Sequence, residues 1–394
     1  MKKVDPMSEM QSYLVPDYYP AFSCKMGACR KPCCEGWPVS ITMKDYFHLL
    51  SVDCSPELRR RLDTGLHLAA HPTEDAYAQI TPRYDGICPL HLPDGRCGLQ
   101  AELGPEVLAA VCQLYPRGVR TGEHRECSCA CSCEAVPELL LHHPEPLRFI
   151  FLPLHFDLPQ ASRRHFFHTG GREQEIRLWL ISFIQDRTHP LPRRMLLLGH
   201  ALHAMDKAIT QKDDARISRL LSGEEALPVP PECLATRAQL SSGLDTAEQM
   251  LAIMDAGSES IRAYGEEALA YFGQGEIAFD RYQQAAAQFA RVIPQWETWF
   301  EHLLVNHMFF AQFPFQDRPV PLKDEYLALC AVYALLRFLT VGHAAQHPIQ
   351  DSLVDVVAAA FRLIDHTEFD RYAAPILREI GCDDWQHLNQ ILCL

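Results

Sequence analysis

Four cysteines crowd into the stretch "CKMGACRKPCCEGW": Cys24, Cys29, Cys33 and Cys34. Thiols at this density can bind a metal, form disulfides or supply a nucleophile. Because Cys33 and Cys34 are adjacent, their side chains point in different directions, and an ordinary zinc tetrahedron would not use both. They would serve two sites, or one would lie beside a cluster without ligating it.

Most of the other cysteines also lie early in the chain. Of 16 cysteines, 12 precede residue 134. Four of these lie near turns or predicted element ends: Cys88, Cys97, Cys112 and Cys133. An Asp94-Gly95 turn should bring Cys88 and Cys97 together. Together with the first four, they are enough for one cubane cluster with four thiols to spare, for two zinc sites, or for a mixture.

The compartment helps to decide between metal and disulfides. The first residues, "MKKVDPMSEMQSYLVPDYYP", have no apolar region behind the lysines, so we expect no signal peptide and a cytoplasmic protein. In a reducing compartment, dense cysteines favour metal binding or redox chemistry over structural disulfides. A disulfide-stapled domain, or a set of buried free thiols, is the alternative. The spacing alone does not separate iron–sulfur from zinc.

A further run, "CSCACSC", contains Cys127, Cys129 and Cys131 before Cys133. In an extended segment these alternating thiols would lie on one face. They could form an accessory metal site. Chance enrichment, with Cys133 alone important, is the slightly favoured interpretation.

Composition excludes several classes of function. The 394 residues are 48% hydrophobic and 22% charged, which is typical of a globular protein, and the formal net charge is −14. That charge argues against non-specific nucleic-acid binding, which needs a basic surface. We find no run of about 18 apolar residues, so no membrane span is expected. Dinucleotide, P-loop, HExxH and radical S-adenosylmethionine motifs are absent from the sequence.

The predicted fold is mainly α. A small, irregular, cysteine-rich N-terminal domain (1–135) should pack on a larger α-helical domain (136–394). Proline and polar residues predict a loop or linker near 222–234. The oligomeric state cannot be read from the sequence.

Apolar spacing predicts the strongest helices within 176–205 and 324–364. Asp324 and Asp351 stand where N-caps are expected. The stretch "GPEVLAAVCQLYPR" predicts one short helix with Cys112 in its last part.

Three cysteine-bearing segments resemble a known family in order and spacing. They are "YYPAFSCKMGACRKPCCEGWPVSI", "CPLHLPDGRCGLQAELGPEVLAAVCQLYPR" and "ECSCACSCEAVPELLL". They are similar to the flagellin lysine-N-methylases (FliB-type), within the wider CxxCxxCC family. "LLVNHMFFAQFPF" and "FRLIDHTEFDRYAAPIL" extend the likeness over most of the chain.

The resemblance implies a protein-lysine N-methyltransferase that uses S-adenosylmethionine, acts on flagellin and carries an iron–sulfur cluster, most simply 4Fe–4S, with zinc as the alternative. The cysteines of the family correspond to Cys24, Cys29, Cys33, Cys34, Cys88, Cys97, Cys112 and Cys133. Glu134 stands where the family usually has proline. The alternative function is a metal-binding or redox-interaction protein without methyltransferase activity.

No catalytic or cofactor-binding residue can be assigned from the sequence. Tyr18, Tyr19 and Trp37 flank the first cysteines and could pack the centre or face a sulfonium, and packing is the favoured role. Four polar residues near helix ends are weaker candidates for substrate contact: Asn306, His307, Asp365 and His366.

Overall fold

The computed structural model describes residues 10–158, 165–228, 236–254, 259–273, 275–316 and 318–394. The prediction of a mainly helical chain with a small irregular N-terminal part is confirmed. The described strands are β1 (Gln11–Pro16), β2 (Val39–Ile41), β3 (Leu66–Leu68), β4 (Ala78–Ile80), β5 (Arg117–Arg120), β6 (Glu126–Cys129) and β7 (Phe149–Leu154).

The described helices follow in chain order. They are α1 (Met43–Ser51), α2 (Pro56–Gly65), α3 (Gly98–Leu103), α4 (Ala110–Leu114), α5 (Ala135–His142), α6 (Glu173–Ile184), α7 (Leu191–Thr210), α8 (Asp214–Ser222), α9 (Arg237–Met254), α10 (Glu259–Phe272), α11 (Glu276–Val292), α12 (Trp296–Phe310), α13 (Leu322–Ala344), α14 (Gln350–His366), α15 (Phe369–Glu379) and α16 (Trp385–Leu392). Short 3-10 turns occur at Tyr19–Ala21 and Pro105–Val107.

The chain divides into two compact units. The smaller one, here the cysteine unit, contains Phe22–Gly118 and Cys133–Ala135. The larger one, the helical unit, contains the residues up to Ala21, Val119–Ser132 and Val136–Leu394. The sequence suggested a single cut near residue 135, whereas the cysteine unit is made of two separate segments. Strand pairing explains the difference, because β1 and β6 lie side by side in the sheet of the helical unit.

The cysteine unit is built on short elements with strong local signals. β2, β4 and β3 form a three-stranded antiparallel sheet. α1 begins with a capping box in which Asp45 N donates to Thr42 Oγ1 at 3.1 Å and Thr42 N donates to the Asp45 carboxylate. α2 begins at Pro56 after the N-cap Ser55, a position where proline is well tolerated. Leu49, Leu58 and other apolar side chains form a small core beneath the sheet.

One predicted helix of the cysteine unit is wrong in detail. The stretch from Gly104 to Arg117 is not a single helix but a 3-10 turn, Pro105–Val107, followed by α4. The break lies at Leu108, whose ψ of 148° is extended rather than helical. Cys112 consequently lies in the middle of a five-residue helix that begins only at Ala110.

The helical unit contains a four-stranded sheet in the order β5-β6-β1-β7. β1 and β7 are antiparallel, with Gln11 opposite Leu154 and Pro16 opposite Phe149. β1 and β6 are parallel. The sheet therefore holds the strands that precede two cysteine segments. β1 precedes the first cysteine segment, and β6 precedes Cys133.

The core of the helical unit is centred on α13. All of its residues except Lys323 and Asp324 are buried. By length and hydropathy α13 could cross a membrane, but its most apolar stretch is entirely buried inside the protein. Helices of this kind are common as core helices of globular proteins.

Two predicted N-caps are wrong. Pro321 and Ile349 occupy the N-cap positions of α13 and α14, and neither provides a side-chain cap. Asp324 and Asp351 lie inside the first turns, where a carboxylate still interacts favourably with the helix dipole. The loop predicted at 222–234 is non-helical from Gly223 to residue 228, and residues 229–235 lie outside the described part of the chain.

Candidate functional site

The first cysteine loop packs backbone against backbone on the predicted Asp94-Gly95 turn. That turn is confirmed: Gly95 has a φ of 87°. A Cβ atom at Gly95 would lie 2.3 Å from the carbonyl oxygen of Gly27. Only glycine permits so close an approach. The contact places the loop that carries Cys24 and Cys29 against the turn between Cys88 and Cys97.

A second link joins the vicinal cysteines to the same region. Cys88 N donates to the carbonyl oxygen of Cys34 at 2.8 Å, and Gly36 N donates to that of Gly86 at 2.8 Å. Glu35 and Ile87 form an isolated antiparallel bridge between these contacts. Cys34 and Cys88, 54 residues apart in the chain, thus lie on paired segments.

Helix starts position two more thiols. Cys97 is the N-cap residue of α3, and Gly98 N donates to the Leu90 carbonyl at 2.7 Å. Asp45 in α1 accepts from Ala110 N at 3.2 Å and so fixes the start of α4, which carries Cys112. The carboxylate of Asp45 therefore has two roles, as part of the α1 cap and as the anchor of a cysteine-bearing helix.

Glu134 holds the first cysteine loop beside Cys133. Its side chain is 1% exposed and accepts from Lys25 Nζ at 2.7 Å. Its oxygens also accept from Arg30 N at 3.1 Å and Lys31 N at 2.9 Å. Burial pushes the pKa of Glu134 upward, but these three donors outweigh it and hold the pKa below its usual value. The residue that departs from the family pattern is thus a charged anchor for the loop.

Cys33 is the thiol that connects the others electrostatically. Its side chain shares a hydrogen bond with Cys34, which is the largest cause of the raised pKa of Cys34. Burial, with added repulsion from other thiols that include Cys33, raises the pKa of Cys88 to about 11 and that of Cys112 to about 12. Cys112 is partly exposed to solvent, so its raised pKa reflects protein atoms packed around one side of the thiol.

A second group of thiols also interacts with Cys33. Burial raises the pKa of Cys133 to about 12, and Cys33, Cys29 and Cys24 add to the rise. Burial and then Glu134 raise the pKa of Cys29 to about 11. All eight predicted ligands lie in the cysteine unit, and Cys33 raises the pKa of thiols in both groups. Such mutual repulsion between thiolates is relieved when a metal neutralises them.

The candidate ligands fit a soft metal or a cluster, since all eight are thiols and thiolates select zinc and iron–sulfur centres. Within the described residues, no three cysteine sulfurs approach to within 4.8 Å of one another. Cys54 lies in the same unit, packed against its core, and is not one of the predicted ligands.

The remaining thiols of "CSCACSC" are separated from Cys133. Cys127, Cys129 and Cys131 are fully buried in the helical unit, whereas Cys133 belongs to the cysteine unit. Asn306 donates to the Cys129 carbonyl at 2.9 Å and contacts Cys131 Sγ at 3.2 Å. Cys129 and Cys131 thus take part in a buried polar contact within the helical unit.

The aromatic candidates have packing roles in the structure. Trp37 and Tyr115 meet edge to face at 6.5 Å. Tyr18 is 3% exposed and donates to Asn306 Oδ1 at 2.6 Å, while Cys129 N donates to the Tyr18 hydroxyl at 3.1 Å. Burial raises the pKa of Tyr18 well above its usual value, so this hydroxyl stays protonated.

The other polar candidates lie next to one another. His307 Nδ1 is 3.1 Å from Asp365 Oδ1, and both side chains are buried. His366 Nε2 shares a hydrogen bond of 2.8 Å with Ser132 Oγ. Protein atoms around the ring of His366 lower its pKa even though the residue keeps an exposed face. The structure thus gives each of the four polar candidates a partner and leaves the imidazole of His366 neutral at pH 7.

A cavity of about 280 Å³ lies among α7, α13 and the region around α16. Its acidic lining comes from Asp206, Asp383 and Asp384, beside apolar side chains such as Leu202. Burial raises the pKa of Asp206, with His203 opposing the rise. Lys323 Nζ lies 3.0 Å from Asp383 Oδ2 at this cavity. The lining suits a cationic group with an apolar stem.

A second cavity, of about 420 Å³, lies in the cysteine unit and has the opposite character. Its lining includes Arg60, Arg61 and Arg83. One carboxylate, Glu57, also lines it and pairs with Arg60 and Arg61, but the arginines outnumber it, so the acidic cavity of the helical unit is the better candidate for a cationic reactant.

Sequence reasoning missed three features of these sites. It did not find the acidic cavity, whose carboxylates come from α7 and from the segment between α15 and α16, far apart in the chain. It noted Glu134 only as a departure from a pattern. It passed over His343 and His347, although their spacing of four residues was a visible signal for one helical face.

Comparisons with known proteins agree with one another. The model of the FliB lysine N-methylase C-terminal domain matches residues 177–391. A lysine-N-methylase of Salmonella typhimurium is 28% identical over 137 residues, which are 34% of this chain and 33% of the relative. A lysine-N-methylase of Salmonella choleraesuis matches with the same identity and coverage.

The flagellar biosynthetic protein FliU of Salmonella muenchen is 27% identical over 136 residues, 34% of this chain and 78% of the relative. The chain thus matches about a third of the length of the two lysine-N-methylases. A comparison with solved structures finds no match.

Proposed function

This chain belongs to the FliB lysine N-methylase family, and from that premise we propose that it methylates lysine side chains of flagellin with S-adenosylmethionine as methyl donor. The observation that carries the proposal is the family match over residues 177–391, which contains every residue lining the acidic cavity. Relatives named lysine-N-methylase and flagellar biosynthetic protein support the reaction and the kind of substrate.

The reaction sets clear demands on the protein. A lysine amine attacks a methyl group only when neutral, yet its ordinary pKa is about 10.4. The site must bind the ammonium form, remove its proton and align nitrogen, methyl and sulfur. An enclosed site with a carboxylate of raised pKa meets the first two demands, because such a carboxylate both attracts a cation and accepts a proton more readily.

The acidic cavity of the helical unit has these properties. At about 280 Å³ it lies near the lower end of the range for small-molecule sites, roughly 300–1,000 Å³. Leu202, Leu327 and Leu388 supply apolar walls for an aliphatic stem. The contact of Lys323 with Asp383 shows that the acidic wall accepts a lysine ammonium. In this proposal the target lysine enters here, and Asp206 is the proton acceptor.

The cysteine unit would hold the iron–sulfur cluster. Its ligands would come from among the thiols Cys24, Cys29, Cys33, Cys34, Cys88, Cys97, Cys112 and Cys133, and Glu134 and Asp45 position segments that bear them. When bound, a cluster cross-links these segments, and with only three thiolate ligands it leaves one iron open to a further ligand. Zinc is the alternative occupant.

Methyl transfer can be tested directly on the full chain. Anaerobically purified protein is mixed with S-adenosylmethionine and flagellin, and lysine peptides are examined by mass spectrometry for methyl-sized increments. The proposal predicts increments on flagellin lysines. Asp206→Asn should lower the rate by at least about 100-fold because it removes the proton acceptor. Asp245→Asn, at an exposed position of α9, is the matched control and should leave the rate unchanged.

The outcomes separate the two functions. Protein with an intact metal centre that adds no methyl group to flagellin would favour a metal-binding or redox-interaction protein. Full methylation by Asp206→Asn would support the proposed activity but would show that the acidic cavity is not its site.

A further inference from the structure

Three potential metal ligands meet on the helical unit, away from every cysteine of the cysteine unit in sequence. They are Glu267 on α10, His343 on α13 and His347 just beyond the end of α13. Their ligand atoms all lie within 4.8 Å of one another. His343 Nδ1 is 2.8 Å from Glu267 Oε2, and His347 Nε2 is 3.2 Å from Glu267 Oε1. One carboxylate therefore faces two imidazoles, one with each oxygen.

Backbone geometry fixes this arrangement. His347 N donates to the His343 carbonyl at 2.8 Å, so the helical turn continues past Ala344 and keeps both histidines on one face. The two rings stack at 4.6 Å. A Cβ added to Gly342 of α13 would lie 2.3 Å from the Cβ of Ala268 on the facing helix α10. This close approach of α10 and α13 brings Glu267 within reach of the histidines.

The carboxylate is incompletely satisfied. Glu267 Oε1 is buried, and no hydrogen-bond donor among the described residues reaches it with acceptable geometry. The nearby His347 Nε2 is close enough for an ionic contact, but it does not form a hydrogen bond. A buried carboxylate oxygen without a donor is costly, and a bound cation would satisfy it.

We propose that Glu267, His343 and His347 bind one divalent transition-metal ion of the zinc class. Two imidazoles four residues apart on a helix, with a carboxylate from a neighbouring segment, form a donor set typical of zinc. Zinc–ligand bonds of about 2.0–2.1 Å place tetrahedral ligand atoms about 3.3 Å apart. The measured separations of 2.8 and 3.2 Å are near that value.

The ion would clamp α10 to the end of α13. His343 and Glu267 lie largely inside the protein, whereas the His347 side chain is 56% exposed. The exposed side leaves a coordination position open to solvent. Binding of the ion to the folded state alone would stabilise the helical unit in proportion to the metal concentration.

Cobalt(II) is the probe that separates this site from the thiols. Cobalt bound by imidazole and carboxylate gives visible d–d bands, while thiolate ligands add sulfur-to-metal charge-transfer bands. The full-length protein is titrated with cobalt after its cysteine centre has been loaded. We expect one further equivalent without new charge-transfer absorption. His347→Ala should lose that equivalent or bind it at least tenfold more weakly.

Two further variants complete the test. Glu267→Gln removes the anionic ligand and should weaken cobalt binding as His347→Ala does. His168→Ala removes another exposed histidine that pairs with a carboxylate, Asp214, at 3.1 Å, and it should leave binding unchanged. If Glu267→Gln fails to fold, the exposed His347 still carries the test. Equal cobalt binding by wild type and His347→Ala, or a titration without the d–d bands, would overturn the proposal.

Discussion

The two units reach a folded state by different means. The helical unit buries a continuous apolar core in which α13 is enclosed, with fully buried side chains such as Trp299, Tyr333 and Phe338. The cysteine unit has a far smaller core, made mostly of single leucine and isoleucine side chains. It holds the eight candidate thiols instead, and the raised pKa values of Cys88, Cys112 and Cys133 show that burial and repulsion from neighbouring thiols act against their thiolate forms.

The contrast shows where stability must come from in each unit. Small domains bury too little apolar surface to be stable on hydrophobic packing alone, and they commonly add a metal or cross-links. The helical unit needs no such addition, because its core is large. We therefore expect changes at the thiols to affect the cysteine unit and changes at apolar side chains to affect the helical unit.

The largest effect is expected from Cys33→Ser. Cys33 interacts with thiols of both groups, so its loss should remove most bound metal and expose the cysteine unit to protease. Iron, zinc and sulfide analysis with limited proteolysis gives the measurement. Cys54→Ser, in the same unit but outside the predicted ligands, is the control and should keep both metal and resistance. Full metal content in Cys33→Ser would show that the centre does not depend on this thiol.

Truncation of the apolar core should act on the other unit. Phe338 is 1% exposed and meets the ring of Phe272 at 5.2 Å. Phe338→Ala should lower the free energy of unfolding by about 3–5 kcal/mol, because it removes buried area and leaves a cavity. Urea denaturation measures the loss, and metal content should not change. Phe151→Ala, at a position 67% exposed, should cost little.

Glu134→Gln should have an intermediate effect confined to the cysteine unit. The substitution removes the charge that three donors share, which costs about 1–3 kcal/mol at a buried site. The loop bearing Cys24 and Cys29 should loosen, and a chelator should remove the metal faster than from wild type. Glu123→Gln, at an exposed position, provides the comparison. An unchanged rate of metal loss would mean that the loop is held without Glu134.

Mild acid should have the smallest effect on stability, and the two units should lose stability at different pH values. His302 is fully buried; its Nδ1 faces the Leu140 carbonyl at 2.9 Å and its Nε2 faces Arg187 at 3.1 Å. Burial lowers the pKa of His302, so the folded state binds this proton less readily than the unfolded state. Its contribution to stability is present above about pH 6.5 and is lost as pH falls through the lower folded pKa.

The contribution of Glu134 to stability is also lost on acidification, but at lower pH. Its lowered pKa adds stability above about pH 4.3, and that stability is lost as pH falls further. The helical unit should therefore weaken first on acidification. Trp37 is the tryptophan of the cysteine unit, so the fluorescence of Trp37→Phe reports on the helical unit alone. His302→Gln should reduce the early loss, to which His366 also contributes, and an identical acid profile in that variant would contradict the assignment.

Local patterns in the sequence predicted much of this architecture. Helical periodicity located α6, α7, α13 and α14, because each has a long apolar face. The turn at Asp94-Gly95 was predicted from its residue types. The N-caps predicted for α13 and α14 were wrong. The residues at those positions are Pro321 and Ile349, and these helices begin through backbone conformation without a side-chain cap.

Contacts between distant residues were beyond the sequence. Tyr18 and Asn306 are 288 residues apart, and nothing local in either segment indicates the other. The parallel pairing of β1 with β6 moved the first strand and Cys127 into the helical unit, which a composition break at residue 135 could not reveal. The density of cysteines predicted a metal-binding region, but only the fold shows that Cys33 interacts with thiols as distant in the chain as Cys112 and Cys133.

Metal and acid-labile sulfide analysis of anaerobically purified, full-length protein tests the central claim most directly. The account predicts iron and sulfide bound in a ratio typical of a cluster, lost together in Cys33→Ser and retained in Cys54→Ser. Zinc without sulfide would mean that the thiols bind a metal as proposed, but in zinc sites and not in a cluster. A protein that contains neither iron nor zinc, yet has a protease-resistant cysteine unit, would contradict the account.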